Sequence, residues 1–463
     1  MALKERWGSG LGFVLAAAGS AVGLGNLWGF AYRASQGGGG AFVLLYVVIV
    51  LFVCLPLLIA EMSLGRSTGK SPLLAPVSGG KVWYVLGWLF LIVSSGILSY
   101  YVVVMGYAGT TLLAAIYGDL PKDITSANDY FSSISSGSVS LKGQLCSLLL
   151  TGIVVSAGIK AGIERLAKWG VPILLFLLII LGVWVFFQPD SKEGYQFLFG
   201  WDSTKLFDRQ TVSNAFKQAF FSVGTGIGAI LAYSIYLDKK SKIPGEAAAV
   251  VTLDTAVGLI AGCVTFPLVA TLGISEFVGS GSIGTLFIAM PHGLASPLLG
   301  DIGWLVSILF FSLVYIAAIT SAVSLLEVPV SSLMDLMGLR RSIAVAISLV
   351  IITIIGIPSA LDINYLAKMD SYTNLLLISS GLLLAILMGW ILPGKLRTDL
   401  QEGGSENQFS HVIISFLRWV TIPAIALGLA VVFEETFKHS DLDFLINLLN
   451  GSYILERLIE YFQ

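Results

Sequence analysis

Two glycine-rich segments interrupt stretches that are otherwise apolar enough to cross a membrane. Residues 19–26 have the sequence GSAVGLGN, and residues 221–228 have FSVGTGIG. A membrane helix can be broken only where its freed peptide groups are buried in protein or line a polar cavity, because lipid offers them no hydrogen-bond partner. The breaks lie roughly 200 residues apart, so we predict two related halves that each contribute one broken helix to a shared site near mid-membrane.

The composition identifies an integral membrane protein. Of the 463 residues, 56% are hydrophobic and 12% are charged, and the mean hydropathy is +0.88, whereas soluble domains carry about 25% charged residues. The formal net charge of −2 provides no basic field for nucleic acid. The three cysteines fall in apolar stretches and the three histidines lie far apart in sequence, so we expect neither a disulfide framework nor a zinc site.

Eleven apolar runs are long enough to span a bilayer, which needs about 20 residues per helix. The sequence therefore predicts an all-α membrane protein with two sets of five helices and an eleventh. The first set lies near 9–34, 40–65, 83–117, 144–160 and 166–187; the second near 211–237, 245–271, 300–336, 341–357 and 369–393; and the last near 411–433.

These spans divide the chain into five parts. They are a first five-helix repeat at 1–187, an outer connection at 188–210, a second repeat at 211–394, the eleventh helix at 395–433, and a polar tail at 434–463. Within the second repeat, the loop 272–299 mixes glycine, serine and apolar residues and is expected to fold back as a lid. The tail alternates apolar and charged residues, which is typical of a surface helix.

The distribution of lysine and arginine predicts the orientation. Cytoplasmic loops accumulate these residues, and they concentrate in alternate loops beginning with the N-terminal segment, for example at Lys4, Arg66, Lys160 and Arg340. We therefore expect a cytoplasmic N-terminus and, after eleven crossings, an outer C-terminus.

The first break and its surroundings resemble the first-helix signature of the neurotransmitter:sodium symporter family. The resemblance includes Trp28 and the glycine run at 37–40. It continues, in order and spacing through helix ten, at Tyr46, Pro56, Glu61, Gly65, Arg66, Tyr100, Tyr101, the segment 218–228 and the segment 317–321. It implies a five-plus-five inverted-repeat fold with broken helices, an eleventh transmembrane helix and sodium-coupled symport.

The resemblance also implies a substrate site at the breaks. Amide groups of Leu24 and Gly25, at the positive end of a half-helix, would meet a substrate carboxylate, Tyr101 would add its hydroxyl, and Phe221 would cap the bound molecule. The full set implied is Ala21, Gly23, Leu24, Gly25, Ile97, Tyr101, Val104, Phe221, Gly224, Ile227, Ser321 and Leu325. Most of its side chains are apolar, which favours a neutral, hydrophobic amino acid.

Two sodium sites are implied in the same way, since sodium needs a cage of oxygen ligands. The first would use Ala21, Asn26, Ser222 and Asp254; the second would use Gly19, Val22, Ala317, Thr320 and Ser321. Many family members carry asparagine at the position of Asp254, and some require chloride. A carboxylate here would supply the fixed negative charge, so we expect one or two sodium ions and no chloride requirement. Glu61 is expected to accept hydrogen bonds from the unwound first helix.

The gates depart from the family pattern. An arginine usual at the position of Gly29 is absent, while its partner Asp370 is present, and we expect Arg33, one turn further along the helix, to pair with that aspartate, with Lys368 as the competitor. At the inner side, Lys4 and Asp335 match a family ion pair, with Trp7 packed above it.

Together, these features predict a sodium-coupled symporter for a neutral amino acid, in a bacterial inner membrane. Lipid and a small solute are the expected partners, and the oligomeric state stays open. We find no nucleophile with a base, metal cluster or pair of catalytic carboxylates at a spacing that suits an enzyme. Two alternatives remain: a related solute sensor that does not transport, suggested by the missing gate arginine, and proton-driven transport, suggested by Asp254 and Glu61.

Overall fold

The computed structural model describes residues 5–274, 282–300 and 302–438. In those residues every regular element is helical. Helices satisfy their own peptide groups except near their ends and breaks, which suits a membrane interior.

Eleven helices form the body of the protein. In chain order they are α1 (Gly10–Ala21, continued by Phe30–Gln36), α2 (Gly40–Thr68), α3 (Lys81–Tyr117), α4 (Gly137–Ser156), α5 (Ile159–Phe186), α6 (Arg209–Val223, continued by Ala229–Ser234), α7 (Ile243–Thr271), α8 (Ile302–Met337), α9 (Arg341–Leu361), α10 (Ile363–Ile391) and α11 (Asn407–Phe437). The two parts of α1 are called α1a and α1b below, and those of α6 are called α6a and α6b. Both helices with predicted breaks are interrupted, whereas the other nine are long and apolar enough to cross a membrane within the described residues.

Several helix ends differ from the prediction. The α4 helix begins at Gly137 rather than near 144, and α10 begins at Ile363 rather than near 369. Their first turns are polar, so a hydropathy criterion excludes them, although they are helical. In α10 the side chain of Asp362 caps the first turn by accepting from the amide of Asn364.

The expected connections also contain helices. Ile124–Ile134 lies between α3 and α4 and begins with a capping box at Asp123, and Ser191–Phe199 lies between α5 and α6. Residues 434–437, which were expected in the polar tail, continue α11. The rest of that tail from 439 onward lies outside the described residues, as do residues 275–281 of the expected lid loop.

The broken helices lie at the centre of the bundle. The α1a helix packs against α5, α7 and α8, and α6b packs against α2 and α8. The contact between α2 and α6b depends on Gly65, where a Cβ atom would lie 2.6 Å from the carbonyl oxygen of Leu231. This close approach brings the last turns of α2 beside the break in α6.

Candidate functional site

The break in α6 is built from left-handed glycines. Gly224, Gly226 and Gly228 have φ angles of +71°, +85° and +85°, a region that glycine adopts without steric cost. The fully buried carboxylate of Glu61 accepts hydrogen bonds from the amide of Gly226 at 2.9 Å and from that of Leu231 at 3.3 Å. The expectation that Glu61 serves the first helix is therefore wrong: because α2 packs on α6b, its carboxylate lies under the break in α6.

The break in α1 has a different origin. The α1a helix ends at Ala21, Val22 turns the chain with ψ of 90°, and a wide helical turn resumes at Gly25. The positive-φ glycines do not include Gly23 or Gly25. Instead, a Cβ on Gly23 would lie 2.6 Å from the Ser321 hydroxyl, and one on Gly25 would lie 2.6 Å from the Phe221 ring. In α1 these glycines provide space rather than unusual backbone angles.

Between the two breaks lies an inner pocket of about 20 Å³. Of the predicted substrate residues, it is lined by Ala21, Gly23, Gly25, Ile97, Tyr101, Phe221, Gly224, Ile227, Ser321 and Leu325. The other two, Leu24 and Val104, line a larger outer cavity. The amide of Leu24 donates to the hydroxyl of Tyr101 at 3.2 Å, which brings the two groups expected to bind a carboxylate together.

One wall of the inner pocket is more polar than predicted. Ser20 and Ser324 both line it, and the hydroxyl of Ser20 donates to that of Ser324 at 2.6 Å. The Ser324 hydroxyl in turn donates to the carbonyl of Ser321 at 2.8 Å. Sequence reasoning missed both serines, although Ser20 lies within the glycine-rich segment and Ser324 follows Ser321 by three residues on the same helix.

The outer cavity, called the vestibule below, has a volume of about 530 Å³. Tyr101, Phe221 and Gly25 line both it and the inner pocket. Since the Phe221 ring packs against Gly25, the side chains of Phe221 and Tyr101 separate the two spaces.

Three of the four residues expected at the first sodium site, Asn26, Ser222 and Asp254, meet at the Asp254 carboxylate. This side chain is fully buried, and its two oxygens accept from Asn26 Nδ2 and from the Ser222 hydroxyl, each at 2.6 Å. The other amide atom of Asn26, Oδ1, is buried and has no hydrogen-bond partner among the described residues. A cluster of oxygens with one free carbonyl suits a hard cation, and a cation would also balance a buried carboxylate.

The residues expected at the second sodium site join α1a to α8. The Ser321 hydroxyl donates to the carbonyl of Gly19 at 3.3 Å, and the Thr320 hydroxyl donates to the carbonyls of Ile316 and Ala317 at 3.1 and 3.0 Å. Val22 lies at the end of α1a, where helical hydrogen bonding stops. The Ser321 hydroxyl and the Gly19 carbonyl are therefore in contact, and the hydroxyls of Ser321 and Thr320 both donate to backbone carbonyls.

At the outer gate, Arg33 takes the space beside Gly29. A Cβ on Gly29 would lie 3.5 Å from Arg33 Nη1 and 3.6 Å from Gln218 Oε1, and these two side chains are hydrogen bonded at 2.6 Å. The guanidinium also lies 5.9 Å from the centre of the Phe221 ring.

The expected ion pair between Arg33 and Asp370 is not formed in this conformation. Both residues line the vestibule, and Asp370 instead accepts from the Tyr100 hydroxyl at 2.9 Å and from Asn374 Nδ2 at 3.0 Å. The physical reason is that Gln218 satisfies the guanidinium on its own side of the open cavity.

At the inner side, Lys4 lies outside the described residues, so its pairing stays a prediction. Asp335 accepts from the amide of Ser71 at 2.8 Å. Trp7 packs edge-on against Phe13 and Tyr233 and donates its indole N–H to the Tyr233 carbonyl at 2.9 Å.

A second inner network was not predicted. Arg341 forms ion pairs with Glu327 of α8 at 2.6 Å and with Glu5 at 2.9 Å, and the Tyr236 hydroxyl donates to Glu327 at 3.1 Å. The signal in the sequence was Glu327, an acid within an apolar span, which by itself indicates a buried partner.

Comparisons with known proteins found related membrane transporters. The sequence model of the sodium:neurotransmitter symporter family matches residues 4–133 and 127–443. A sodium-dependent transporter of Methanocaldococcus jannaschii is 34% identical over 425 residues, covering 86% of this chain and 84% of its own. A sodium-dependent transporter of Bacillus subtilis is 31% identical over 451 residues, covering 92% and 96%.

Among solved structures, the crystal structure of MhsT in complex with L-phenylalanine is similar with a TM-score of 0.85 and 33% identity. The match covers 93% of this chain and 100% of the MhsT chain. The all-α broken-helix fold expected from the sequence is confirmed by this match.

Proposed function

The chain belongs to the sodium:neurotransmitter symporter family, and from that premise we propose that this sodium-dependent symporter imports a neutral, hydrophobic amino acid with one or two sodium ions. The family and the relatives are transporters rather than enzymes. The proposal concerns the solute, the ions and the direction of transport.

One observation carries the choice of solute: a pocket between two helix breaks that combines peptide groups and serine hydroxyls with apolar side chains. Within the described part of the chain, no charged side chain lines it. The amide of Leu24 and the hydroxyl of Tyr101 would bind a carboxylate, while Ile97, Ile227 and Leu325 would contact an apolar side chain. That MhsT was crystallised with L-phenylalanine supports the same class of solute.

Loading of the pocket requires Phe221 to move. At about 20 Å³ the pocket has room for one water molecule, not for an amino acid. Rotation of the Phe221 ring into the vestibule would open a path, and its return would close the outer side over the bound solute.

For the ions, we propose that Asp254 and its partners bind the first sodium, next to the solute, and that the ends of α1a and α8 bind the second. Asp254 would supply the charge for which other members use chloride. A tenfold sodium gradient is worth about 1.4 kcal/mol per ion, and a potential of 100 mV adds about 2.3 kcal/mol per charge, so two ions would support strong accumulation.

The test is uptake into proteoliposomes of purified protein, after a thermal-shift screen of the twenty amino acids, taurine and betaines with and without sodium. We expect sodium to be required for stabilisation by one or more neutral amino acids, and uptake to stop when choline replaces sodium at fixed pH. Uptake that follows a proton gradient in choline would instead indicate proton coupling. Sodium-dependent binding without counterflow of labelled solute would indicate a sensor.

We also propose a bacterial inner membrane as the location, with the N-terminus in the cytoplasm. The alternation of lysine- and arginine-rich loops supports this orientation. The test is a reporter that is active only in the periplasm, fused before residue 1. Activity of this reporter would contradict the proposed orientation.

A further inference from the structure

The eleventh helix, which lies outside the two repeats, packs directly on α6a. Gly428 of α11 is buried at this contact, and a Cβ atom there would lie 2.6 Å from the ring of Phe216. Because the Phe216 ring packs directly on the backbone of α11 at Gly428, a displacement of α6a changes its contact with α11.

A carboxylate of α11 joins the same face of α6a. Glu435 Oε2 lies 2.9 Å from Lys217 Nζ and also accepts from the hydroxyl of Ser213, one turn earlier on α6a. The side chains of Lys217 and Glu435 are 16% and 33% exposed. Partial burial and two donors make this link stronger than a surface ion pair.

The neighbouring pair offers an internal comparison. Glu434 pairs with Arg209 at 2.8 Å, but these side chains are 45% and 74% exposed. Exposed pairs contribute little to stability. Two adjacent acids on one helix therefore contact the same partner helix, one in a shielded position and the other in solvent.

The residues that follow Lys217 on α6a close the outer side of the pocket. Gln218 donates to the carbonyl of Gly25 at 3.0 Å and accepts from Arg33 at 2.6 Å, and Phe221 follows one turn later. Gln218 can make both hydrogen bonds only if α6a keeps its position relative to α1b.

We propose that Glu435 is a positioning residue: through Lys217 and Ser213 it holds α6a where Gln218 and Phe221 close the pocket. Its role in solute retention rests on the proposed function, whereas its effect on α6a does not. When Glu435 is neutralised, α6a moves more freely and the path from the vestibule to the pocket opens more often.

The experiment measures how fast a membrane-impermeant methanethiosulfonate reagent modifies a cysteine placed at Ser324, a buried residue that lines the inner pocket. The full-length protein is used in sodium without solute, with Cys54, Cys146 and Cys263 replaced. We expect Glu435→Gln to raise the modification rate about fivefold, the effect of losing one charge-assisted hydrogen bond from a half-buried pair. The matched control, Glu434→Gln, should stay close to the parent protein.

Two further variants separate positioning from general damage. Lys217→Glu combined with Glu435→Lys should restore the parent rate, and Glu435→Asp should restore part of it. Once a transported amino acid is known, Glu435→Gln should also raise its KM about fivefold with little change in kcat, because retention rather than the transport step is affected.

Equal modification rates in Glu435→Gln and the parent would overturn the proposal, as would equal effects of Glu435→Gln and Glu434→Gln. If the parent protein binds no amino acid, the proposed function fails. The cysteine measurement in sodium alone still decides whether Glu435 holds α6a.

Discussion

Asp254 is a carboxylate with a hydrogen-bond donor on each oxygen and no ion-pair partner among the described residues. Its charge has to be balanced at mid-membrane, and the free Oδ1 of Asn26 beside it offers a ligand to the balancing cation. We predict that Asp254→Asn lowers the apparent affinity for sodium about tenfold or more, since the ion loses its only charged ligand in the predicted set. Uptake measured against sodium concentration tests this.

The control for that prediction is Glu246→Gln, which neutralises a partly buried acid in the first turn of the same helix, α7. It should leave the sodium dependence unchanged. Parent uptake should also persist when gluconate replaces chloride. A steep loss in gluconate would contradict the view that Asp254 replaces chloride.

A second prediction about single residues concerns the glycines of α1. A methyl group on Gly25 would collide with the Phe221 ring at 2.6 Å, so Gly25→Ala should displace the ring and weaken solute binding about tenfold or more, within the usual cost of overpacking. Gly245→Ala is the matched control, because a Cβ there has nothing within 4 Å. Equal affinities in a binding assay for these two variants would show that Phe221 does not close the pocket.

At the scale of helices, sequence predicted the order of the spans and the position of both breaks. Long apolar runs and glycine clusters are local features, so they can be recognised without knowing how the helices pack. Helix ends such as the first turns of α4 and α10 were missed, because a polar helical turn at the membrane border resembles a loop in hydropathy. The partner of Glu61 was assigned to the wrong helix, because pairing across the bundle depends on how closely α2 approaches α6b at Gly65.

The corrected role of Glu61 gives a prediction for α6. Glu61→Gln leaves one of the two amides at the break without an acceptor, and an unsatisfied buried amide costs about 1 to 3 kcal/mol. We expect a lower melting temperature in detergent and weaker binding of solute. The exposed acid Glu193, on Ser191–Phe199, provides the control Glu193→Gln. A parent-like melting temperature for Glu61→Gln would mean that the break is held by other contacts, such as that of Ser380 with the Gly226 carbonyl.

For the whole molecule, opening toward alternate sides requires that contacts at each end form and break in turn. At the outer end, α1b and α6a meet through Gln218, while Arg33 and Asp370 remain apart across the vestibule. At the inner end, Arg341 ties the N-terminal segment at Glu5 to α8 at Glu327. In the described residues, the pocket is therefore separated from the open vestibule, and the opposite end is held by the ion pairs of Arg341.

The inner network should respond unequally to the loss of its members. Glu327 is 0% exposed and Glu5 is 36% exposed. Arg341→Gln leaves the Glu327 carboxylate buried without a cation, which costs about 3 to 5 kcal/mol in comparable pairs. Glu5→Gln leaves the buried pair intact and should cost less than about 1 kcal/mol. Arg341→Gln should therefore lower both the melting temperature and the sodium-driven uptake more than Glu5→Gln does.

The double variant Arg341→Gln with Glu327→Gln decides whether the buried charge is the cause. Removing both charges eliminates the uncompensated carboxylate, so the double variant should be more stable than Arg341→Gln alone. Its inner side would still lack the ion pair that joins α8 to the N-terminal segment, so stability should recover further than transport does. If the double variant is no more stable than Arg341→Gln, Arg341 acts through packing, and closure of the inner side does not depend on its charge.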